Sequence, residues 1–347
     1  MINRQPHSQS LTTLSPTTAD AVPPRVLFFG LRCAFTRIVV DWCRQGGVDV
    51  VALLVPGPPG LARPAEVRQT PTTLPMAGGE PREAQVRTFQ IDSPGSSETR
   101  ALVARLEPDI IAVACYPRRI PQRTVEIARV EALNVHPSRL PAGRGPDPLF
   151  WTLRRGDGRA AVTVHAITDA FDAGPIYAQQ EVRYADGTTE SALEATLAKM
   201  GGRLLARTVA ALATGDAAST PQDEAVATYE PWPEADDYVI HTDHSARAAY
   251  NFIRGAAGRG NPITIVTGAG SVAVAEAVAI GADGESRQSA EPGSRWIRFA
   301  QGWLLVRERP PDGTGGILAH QRWAAGSTSG QGGHHDRPTR TGVRRVT

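Results

Sequence analysis

Arg25-Val26-Leu27-Phe28-Phe29-Gly30 is the stretch that decides the fold, because it is a short apolar run that ends in glycine. Such a run predicts a buried β-strand that turns into a helix, which is expected around Ala34–Arg44. A second apolar run, Val48–Val55, predicts the next strand. Strand, helix and strand in this order predict a β-α-β unit and therefore an α/β protein with an open parallel sheet.

The alternation of strands and helices continues to residue 214. Apolar runs predict strands at 108–115, 132–135, 161–168 and 176–183, and helices at 98–106, 122–127 and 189–214. This order predicts a Rossmann-like sheet, in which ligands bind at the carboxyl ends of the strands. The turn Gly30-Leu31-Arg32-Cys33 does not match the G-x-G-x-x-G fingerprint of dinucleotide sites, so we do not expect an NAD-dependent oxidoreductase.

Changes in composition divide the chain of 347 residues into five predicted parts. We expect a larger domain at 25–214, a linker at 215–230, and a smaller C-terminal β-rich, OB-like domain at 231–307. Polar segments without apolar periodicity, 1–24 and 308–347, predict disordered tails. The segment Pro56–Glu83, rich in proline and glycine, predicts a long loop.

Composition also argues against several classes of protein. No apolar run approaches the roughly 18 residues of a membrane span, and the N-terminus lacks the pattern of a signal peptide. Cys33, Cys43 and Cys115 are odd in number and lack metal-ligand spacing, which predicts free thiols, no metal site and a cytoplasmic location. The net charge of +2 comes from arginines in the last 40 residues, so it does not indicate a nucleic-acid patch on the body.

The candidate site consists of Asn134-Val135-His136 and of Asp172 within Phe171-Asp172-Ala173-Gly174. An amide, an imidazole and a carboxylate can stabilise an oxyanion and move protons, and no hydroxyl or thiol nucleophile stands beside them in the sequence. This set predicts group transfer in which the substrate, an amine, makes the attack. On its own, each segment would more often be turn chemistry.

Other polar residues have competing interpretations. His165 lies in an alternating strand pattern and is expected to be packed or to support the site. Arg144 and Gly145 could cap a helix that starts near Pro148, or could place a cation on an anionic substrate. His241 and His244 are expected to be solvated loop residues.

The segment from Asn134 to Gly145, N-V-H-P-S-R-L-P-A-G-R-G, resembles the active-site segment of the folate-dependent formyltransferase family, N-x-H-x-S-L-L-P-x-x-R-G. Val162-Thr163-Val164-His165 and the Asp172 turn are similar to the second block of that family. Ala227-Thr228-Tyr229 resembles the segment that opens its C-terminal domain. Arg139 departs from the pattern, which has leucine there, and Cys115-Tyr116-Pro117 departs from the family's glycine-containing turn; both suggest a diverged pocket.

The resemblance implies 10-formyltetrahydrofolate as donor and an amine as acceptor. Asn134 and a protonated His136 would stabilise the oxyanion, and Asp172 would orient His136, raise its pKa and accept the amine proton. Substrate contacts are assigned to Ser138, Arg144 and Gly145, and Ser138 could instead fix the loop backbone. Contacts with the folate are assigned to Cys115, Tyr116, Leu140 and Gly174.

The acceptor is expected to be a small molecule, such as an amino-sugar nucleotide or an amine derived from an amino acid. Methionyl-tRNA formyltransferase is the alternative, but in the best-known relative the loop after the second strand is basic. Here that loop, Pro56–Glu83, carries three arginines and three glutamates, and tRNA binding depends on neutralising phosphates. A formyltetrahydrofolate hydrolase, in which water replaces the amine, and a non-enzymatic binding module are weaker alternatives. The sequence predicts no oligomeric state and no partner in a membrane.

Overall fold

A computed structural model describes residues 23–58, 60–61, 63–67, 86–284 and 291–310. Most of the predicted loop Pro56–Glu83 and nearly all of both predicted tails therefore lie outside the described residues. Within these ranges, no helix combines the length and the apolar character that crossing a bilayer requires.

The larger sheet contains the site and follows the predicted alternation of strands and helices. Its strands run in the order β3-β4-β2-β1-β5-β6-β7-β8. The five central strands, from β4 to β6, are parallel, whereas β3, β7 and β8 pair antiparallel with their neighbours. The elements are β1 (Arg25–Gly30), α1 (Ala34–Gln45), β2 (Asp49–Pro56), β3 (Ala65–Val67), β4 (Thr88–Ile91), α2 (Ser97–Leu106), β5 (Ile110–Ala114), α3 (Gln122–Val125), β6 (Glu131–His136), α4 (Pro148–Arg155), β7 (Arg159–Ala166), β8 (Ile176–Arg183) and α5 (Glu190–Thr214).

Helices on both faces of the sheet explain why its first strand is apolar at consecutive positions. Side chains alternate between the two faces of a strand. Val26 and Phe28 pack in the core that α1 and α5 cover. Leu27 and Phe29 pack on the opposite face, in the core that contains residues of α2. A strand buried on both faces loses the polar alternation of a half-exposed strand, so the predicted α/β class is confirmed.

The second sheet is smaller and lies at the C-terminal end of the described chain. Its order is β12-β13-β11-β10-β9, and all neighbours are antiparallel except β9 and β10. The predicted smaller β-rich unit is therefore present. Its strand β9, the first of the unit along the chain, was not predicted. Its elements are β9 (Val239–His241), α6 (Ala246–Ala256), β10 (Ile263–Thr267), β11 (Gly270–Gly281), β12 (Ser294–Arg298) and β13 (Trp303–Glu308).

An aromatic cluster and a buried cation join the two sheets. The rings of Phe150 on α4, Tyr238 and Phe252 on α6 have centroids 5.1–6.2 Å apart. Arg259 pairs with Asp147 at 2.6 Å and with Glu190 of α5. Because all these groups are largely buried, the interface holds α6 and the segment after it against α4 and α5 of the larger sheet.

Several boundaries differ from the sequence-based ones for identifiable reasons. Strand β6 extends through His136, because Asn134 and His136 pair with β7. His136, expected just beyond the predicted strand 132–135, is therefore the last residue of β6. The predicted loop Pro56–Glu83 contains the short strand β3, and Glu308 is the last residue of β13 rather than the start of a tail. The boundaries of the domains themselves stay predictions.

Candidate active site

A cavity of about 530 Å³ opens at the carboxyl edge of the parallel strands. Parallel strands end at one edge, and there the loops after β1, β5 and β6 leave a crevice. Its volume is in the range of small-molecule sites. The walls are mainly apolar. Lining residues include Leu31, Val113, Cys115, Tyr116, Asn134 and His136.

The strand register places three polar side chains on one face of the sheet. Asn134 and His136 are two residues apart on β6, so their side chains point to the same side. Asn134 is paired directly with His165 on the antiparallel strand β7. The Asn134 amide nitrogen lies 3.2 Å from His165 Nε2. His165 is therefore a member of the site, in closer contact with it than the sequence analysis expected.

Asp172 completes the cluster from the turn between β7 and β8. Its backbone φ of 53° is in the left-handed region, which aspartate tolerates better than most residues. Asn134 Nδ2 donates to Asp172 Oδ1 at 3.2 Å. The same oxygen lies 3.6 Å from His136 Nδ1 and 3.6 Å from His165 Nε2. The structure thus brings together the three residues predicted to be catalytic and adds a second histidine.

Two glycines permit the close backbone packing around the Asp172 turn. A Cβ on Gly174 would lie 1.9 Å from the carbonyl oxygen of Ala166, and one on Gly145 would lie 2.0 Å from that of Glu230. The Gly145 amide donates to Asp172 Oδ2 at 3.0 Å. Neither position accepts a larger residue without moving the backbone.

The histidine tautomers follow from the carbonyl groups that the rings face. His136 Nε2 lies 2.9 Å from the Gly143 carbonyl oxygen, and His165 Nδ1 lies 2.8 Å from that of Ala166. A carbonyl only accepts, so each of these nitrogens carries a hydrogen. When neutral, His136 therefore presents an unprotonated Nδ1 toward Asp172, and His165 presents an unprotonated Nε2 toward Asn134.

Burial decides the charge state of the site. Burial alone would raise the pKa of Asp172, but the neighbouring His136 and His165 and the Gly145 amide together hold it well below its usual range. Burial lowers the pKa of His136 from 6.5, and this effect outweighs the opposing influence of Asp172. The expectation that His136 is protonated with a raised pKa is therefore wrong. The resting site combines an ionised Asp172 with a neutral His136.

The segment predicted as a linker, 215–230, braces the Asp172 turn. Gln222 Nε2 donates to the carbonyl oxygens of Asp172 and Gly174 at 2.7 and 2.8 Å. Its Oε1 accepts from Arg144 Nε and Nη2 at 3.1 and 2.9 Å. Arg144 also pairs with Glu224 at 2.7 Å. Sequence analysis missed Gln222, because only the fold brings it within reach of residues some fifty positions earlier.

Arg144 does not cap α4, and its contacts do not favour the substrate-binding role predicted for it. The helix α4 is capped by Asp147, whose carboxylate accepts from the Phe150 amide at 3.3 Å. The Arg144 guanidinium is engaged by Gln222 and Glu224 and is not among the groups that line the cavity. We infer that it positions the Asp172 turn through Gln222.

The remaining predicted binding residues divide into two groups. Cys115, Tyr116 and Gly145 line the cavity. Ser138, Leu140 and Gly174 are not among its lining residues; the Ser138 hydroxyl donates to the Ala142 carbonyl at 3.2 Å and so fixes the loop. Arg139 is largely exposed and pairs with Glu181 on β8. It is not among the residues that line the cavity, although a diverged pocket was expected from it.

The fold and the site fit an enzyme that transfers a group without supplying a nucleophile of its own. The crevice at the edge of an α/β sheet holds an amide, two imidazoles and a carboxylate, and in the described part of the chain no serine or cysteine side chain hydrogen-bonds to them. A model of the family described as formyl transferase matches residues 25–209, more than half of the chain. The chain therefore belongs to the formyl transferase family, and the predicted relationship to folate-dependent formyltransferases is confirmed.

The curated relatives carry the name methionyl-tRNA formyltransferase. The methionyl-tRNA formyltransferase of Pelotomaculum thermopropionicum is 29% identical over 211 residues, which is 61% of this chain and 66% of that protein. The Thermotoga maritima protein of the same name is 28% identical over 230 residues, covering 66% and 72%. This chain thus spans about two thirds of these relatives.

Solved structures share the fold. An N-formyltransferase from Helicobacter canadensis, in complex with folinic acid and dTDP-3-aminofucose, superposes with a TM-score of 0.53. The match covers 83% of this chain and 100% of that one, at 12% identity. At this identity the similarity concerns the fold alone.

Proposed function

We propose that the protein is an N-formyltransferase that moves the formyl group of 10-formyltetrahydrofolate to the amine of a small molecule. The observation that carries this proposal is the convergence of Asn134, His136 and Asp172 at the cavity, with an ionised carboxylate beside a neutral imidazole. Such a site can remove a proton from an attacking amine and does not itself need to form a covalent bond.

The cavity has features that fit a folate. Its walls near β1 and β5 are apolar and suit a flat heteroaromatic ring. Tyr116 lines this part of the cavity, and its hydroxyl is buried and has no hydrogen-bond partner among the described residues. A buried hydroxyl without a partner costs free energy, which a polar ligand in the cavity would offset. Cys115 and Tyr116 are thus the residues we assign to the donor.

Asp172 and His136 together would act as the proton acceptor. A neutral amine attacks the formyl carbon, and its nitrogen must then lose a proton. Asp172 Oδ1 and the unprotonated His136 Nδ1 lie 3.6 Å apart, so a proton delivered there is held between them. The same pair would return the proton to the departing tetrahydrofolate nitrogen, which completes the transfer without net proton uptake.

Asn134 would stabilise the negative oxygen that forms during the attack. Both of its N–H groups are engaged at 3.2 Å, one by Asp172 and one by His165. Long contacts of this kind can be exchanged for a better acceptor when substrate binds. A carboxylate is a stronger acceptor than a ring nitrogen, so we assign the donor that turns to the oxyanion to the side of His165.

Exposed aromatic rings at the cavity support a small-molecule acceptor. Phe171, Tyr229 and Trp232 line the cavity, yet they are 58%, 60% and 53% exposed. Exposed aromatic side chains grouped around one opening are typical of a site that stacks on a planar or apolar part of a ligand. The acceptor class we propose is an amine that carries such a part.

Methionyl-tRNA formyltransferase is the second candidate, because the curated relatives carry that name. A salt titration distinguishes the two, since tRNA binding through phosphates weakens steeply as salt rises. Deletion of 312–347, a segment with more arginines than acids, should leave formylation of small amines intact. A large loss would favour the tRNA candidate.

The direct test supplies purified protein with 10-formyltetrahydrofolate and a panel of amines and follows the release of tetrahydrofolate. Release that requires one class of small amine supports the proposal. Release with methionyl-tRNA alone supports the second candidate, and release without any amine indicates hydrolysis. No release in any arm refutes the proposed function.

A further inference from the structure

Two cysteines meet beside the cavity. Strands β1 and β5 pair in parallel with Gly30 opposite Ala114, so the loops that follow them, with Cys33 and Cys115, leave the sheet side by side. The Cys33 sulfur lies 3.4 Å from Thr36 Oγ1, and that hydroxyl donates to the Ala114 carbonyl at 2.8 Å. The Cys115 thiol follows directly and lies within hydrogen-bonding reach of the Cys33 sulfur.

Cys33 has the surroundings of a reactive thiolate. It occupies the N-cap position of α1, so its sulfur lies near the positive end of the helix, close to the first backbone amides, although it makes no cap hydrogen bond with them. The hydrogen bond from Cys115 lowers the pKa of Cys33 to about 6, burial opposes this effect, and Thr36 and the helix amides reinforce it. Thiolates of this kind are the nucleophiles of thiol–disulfide exchange.

Cys115 has the complementary properties of a second, protonated thiol. Its φ of 57° lies in the left-handed region, and its side chain is exposed to the cavity. The contact with Cys33 and the nearby acidic groups of Glu194 and Asp147 raise its pKa. The opposite directions of the two pKa shifts make Cys33 the more readily ionised thiol of the pair.

We propose that Cys33 and Cys115 are a redox-sensitive thiol pair that small disulfides, such as glutathione disulfide, oxidise to an intramolecular disulfide. The Cys33 thiolate attacks one sulfur of glutathione disulfide, whose sulfur–sulfur bond breaks and releases one glutathione. Cys115 loses its proton to solvent and attacks the Cys33 sulfur, which displaces the second glutathione. Two protein thiols are oxidised, and one glutathione disulfide is reduced to two glutathione molecules.

The disulfide would connect two loops that form one wall of the cavity. Leu31 precedes Cys33 in the first loop, Tyr116 follows Cys115 in the second, and both line the cavity together with Cys115. The disulfide would draw the Cys115 sulfur away from the cavity and restrict the position of the neighbouring Tyr116. Weaker binding of tetrahydrofolate after oxidation rests on the proposed function, whereas formation of the disulfide does not.

The test treats the full-length protein with glutathione disulfide and follows it by intact mass and peptide mapping. The third cysteine, Cys43, is fully buried, and burial raises its pKa to about 12, so Cys43→Ala is the matched control. The wild type and Cys43→Ala should lose two hydrogens and link Cys33 to Cys115. Cys115→Ser should stop at a glutathione adduct on Cys33, and Cys33→Ser should react at least ~10-fold more slowly.

Three results would overturn the proposal. These are a stable glutathione adduct on the wild type, a linkage that includes Cys43, and a Cys33→Ser variant that reacts as fast as the wild type. Titration of the oxidised and reduced wild type with tetrahydrofolate then measures the consequence separately. Equal affinities of the two forms would refute the effect on the cavity while leaving the thiol pair intact.

Discussion

Replacing Asp172 by asparagine removes the charge of the site while keeping its shape. The carboxylate accepts from the Gly145 amide at 3.0 Å and from the Asn134 amide at 3.2 Å, and it faces His136 Nδ1 at 3.6 Å. An asparagine oxygen can still accept from Gly145. Its NH₂ group then faces Asn134 and His136, where it can neither accept a proton nor accept the Asn134 hydrogen bond.

The expected loss follows from the role of the carboxylate as proton acceptor. General base groups contribute ~10²–10⁴ to rate, so Asp172→Asn should lower kcat by at least ~100-fold, or ~2.7 kcal/mol in activation free energy. The cost of removing charge-assisted hydrogen bonds is offset by the easier burial of a neutral group. We therefore expect the free energy of unfolding to change by less than ~2 kcal/mol.

The assay is steady-state release of tetrahydrofolate, with urea unfolding as the check on stability. Asp216→Asn makes the same change at an exposed position in the segment after α5 and should retain wild-type kcat. The reasoning is refuted if Asp172→Asn keeps more than ~10% of wild-type kcat while remaining folded.

Three further substitutions test the supports of the site. Gln222→Ala removes both bonds to the Asp172 and Gly174 carbonyls and should lower kcat ~10-fold with little change in donor KM, in steady-state kinetics; an unchanged kcat would remove Gln222 from the positioning role. Gly174→Ala places a Cβ 1.9 Å from the Ala166 oxygen and should lower the free energy of unfolding in urea by at least ~2 kcal/mol. The control Gly268→Ala, where a Cβ meets open space, should cost far less. Equal costs of the two changes would contradict the packing argument. The pKa of His136 in the folded protein is lowered from 6.5, so just below that pH the unfolded chain binds more protons than the folded one. The free energy of unfolding of the wild type should therefore decrease as the pH falls below 6.5, by up to ~1.4 kcal/mol per pH unit. His136→Gln should lack this component. The measurement is urea unfolding at pH 7 and pH 5.5, and an equal change in the free energy of unfolding between the two pH values in wild type and variant would contradict the prediction.

Periodicity and segment order were sufficient to predict the fold, whereas residue types and the resemblance to the formyltransferase family singled out the three central residues. Asn134 and His136 share a face because they are two positions apart on a strand, and that spacing is visible in the sequence. The role of His165 depends on which residue of β7 lies opposite Asn134. Register between strands is set by the whole sheet, so His165 could be noted in the sequence but not assigned.

The errors have a common physical origin in tertiary contacts. The direction of the His136 pKa depends on how deeply the ring is buried, which sequence does not give. Ser138 and Gly174 belong to the recognised segments, yet they support backbone packing rather than line the cavity. Gln222 stood in a segment that was expected to be a linker, and only folding brings it to the Asp172 turn.

The most direct measurement of the central claim uses 10-formyltetrahydrofolate with a ¹³C-labelled formyl group and follows the label by NMR. The account predicts that the label moves from the folate to a formamide of the acceptor amine. It also predicts that this transfer falls at least ~100-fold in Asn134→Ala, whose fold is kept. Label that appears as free formate at the same rate without an amine would contradict the account, as would formamide that forms equally fast in Asn134→Ala.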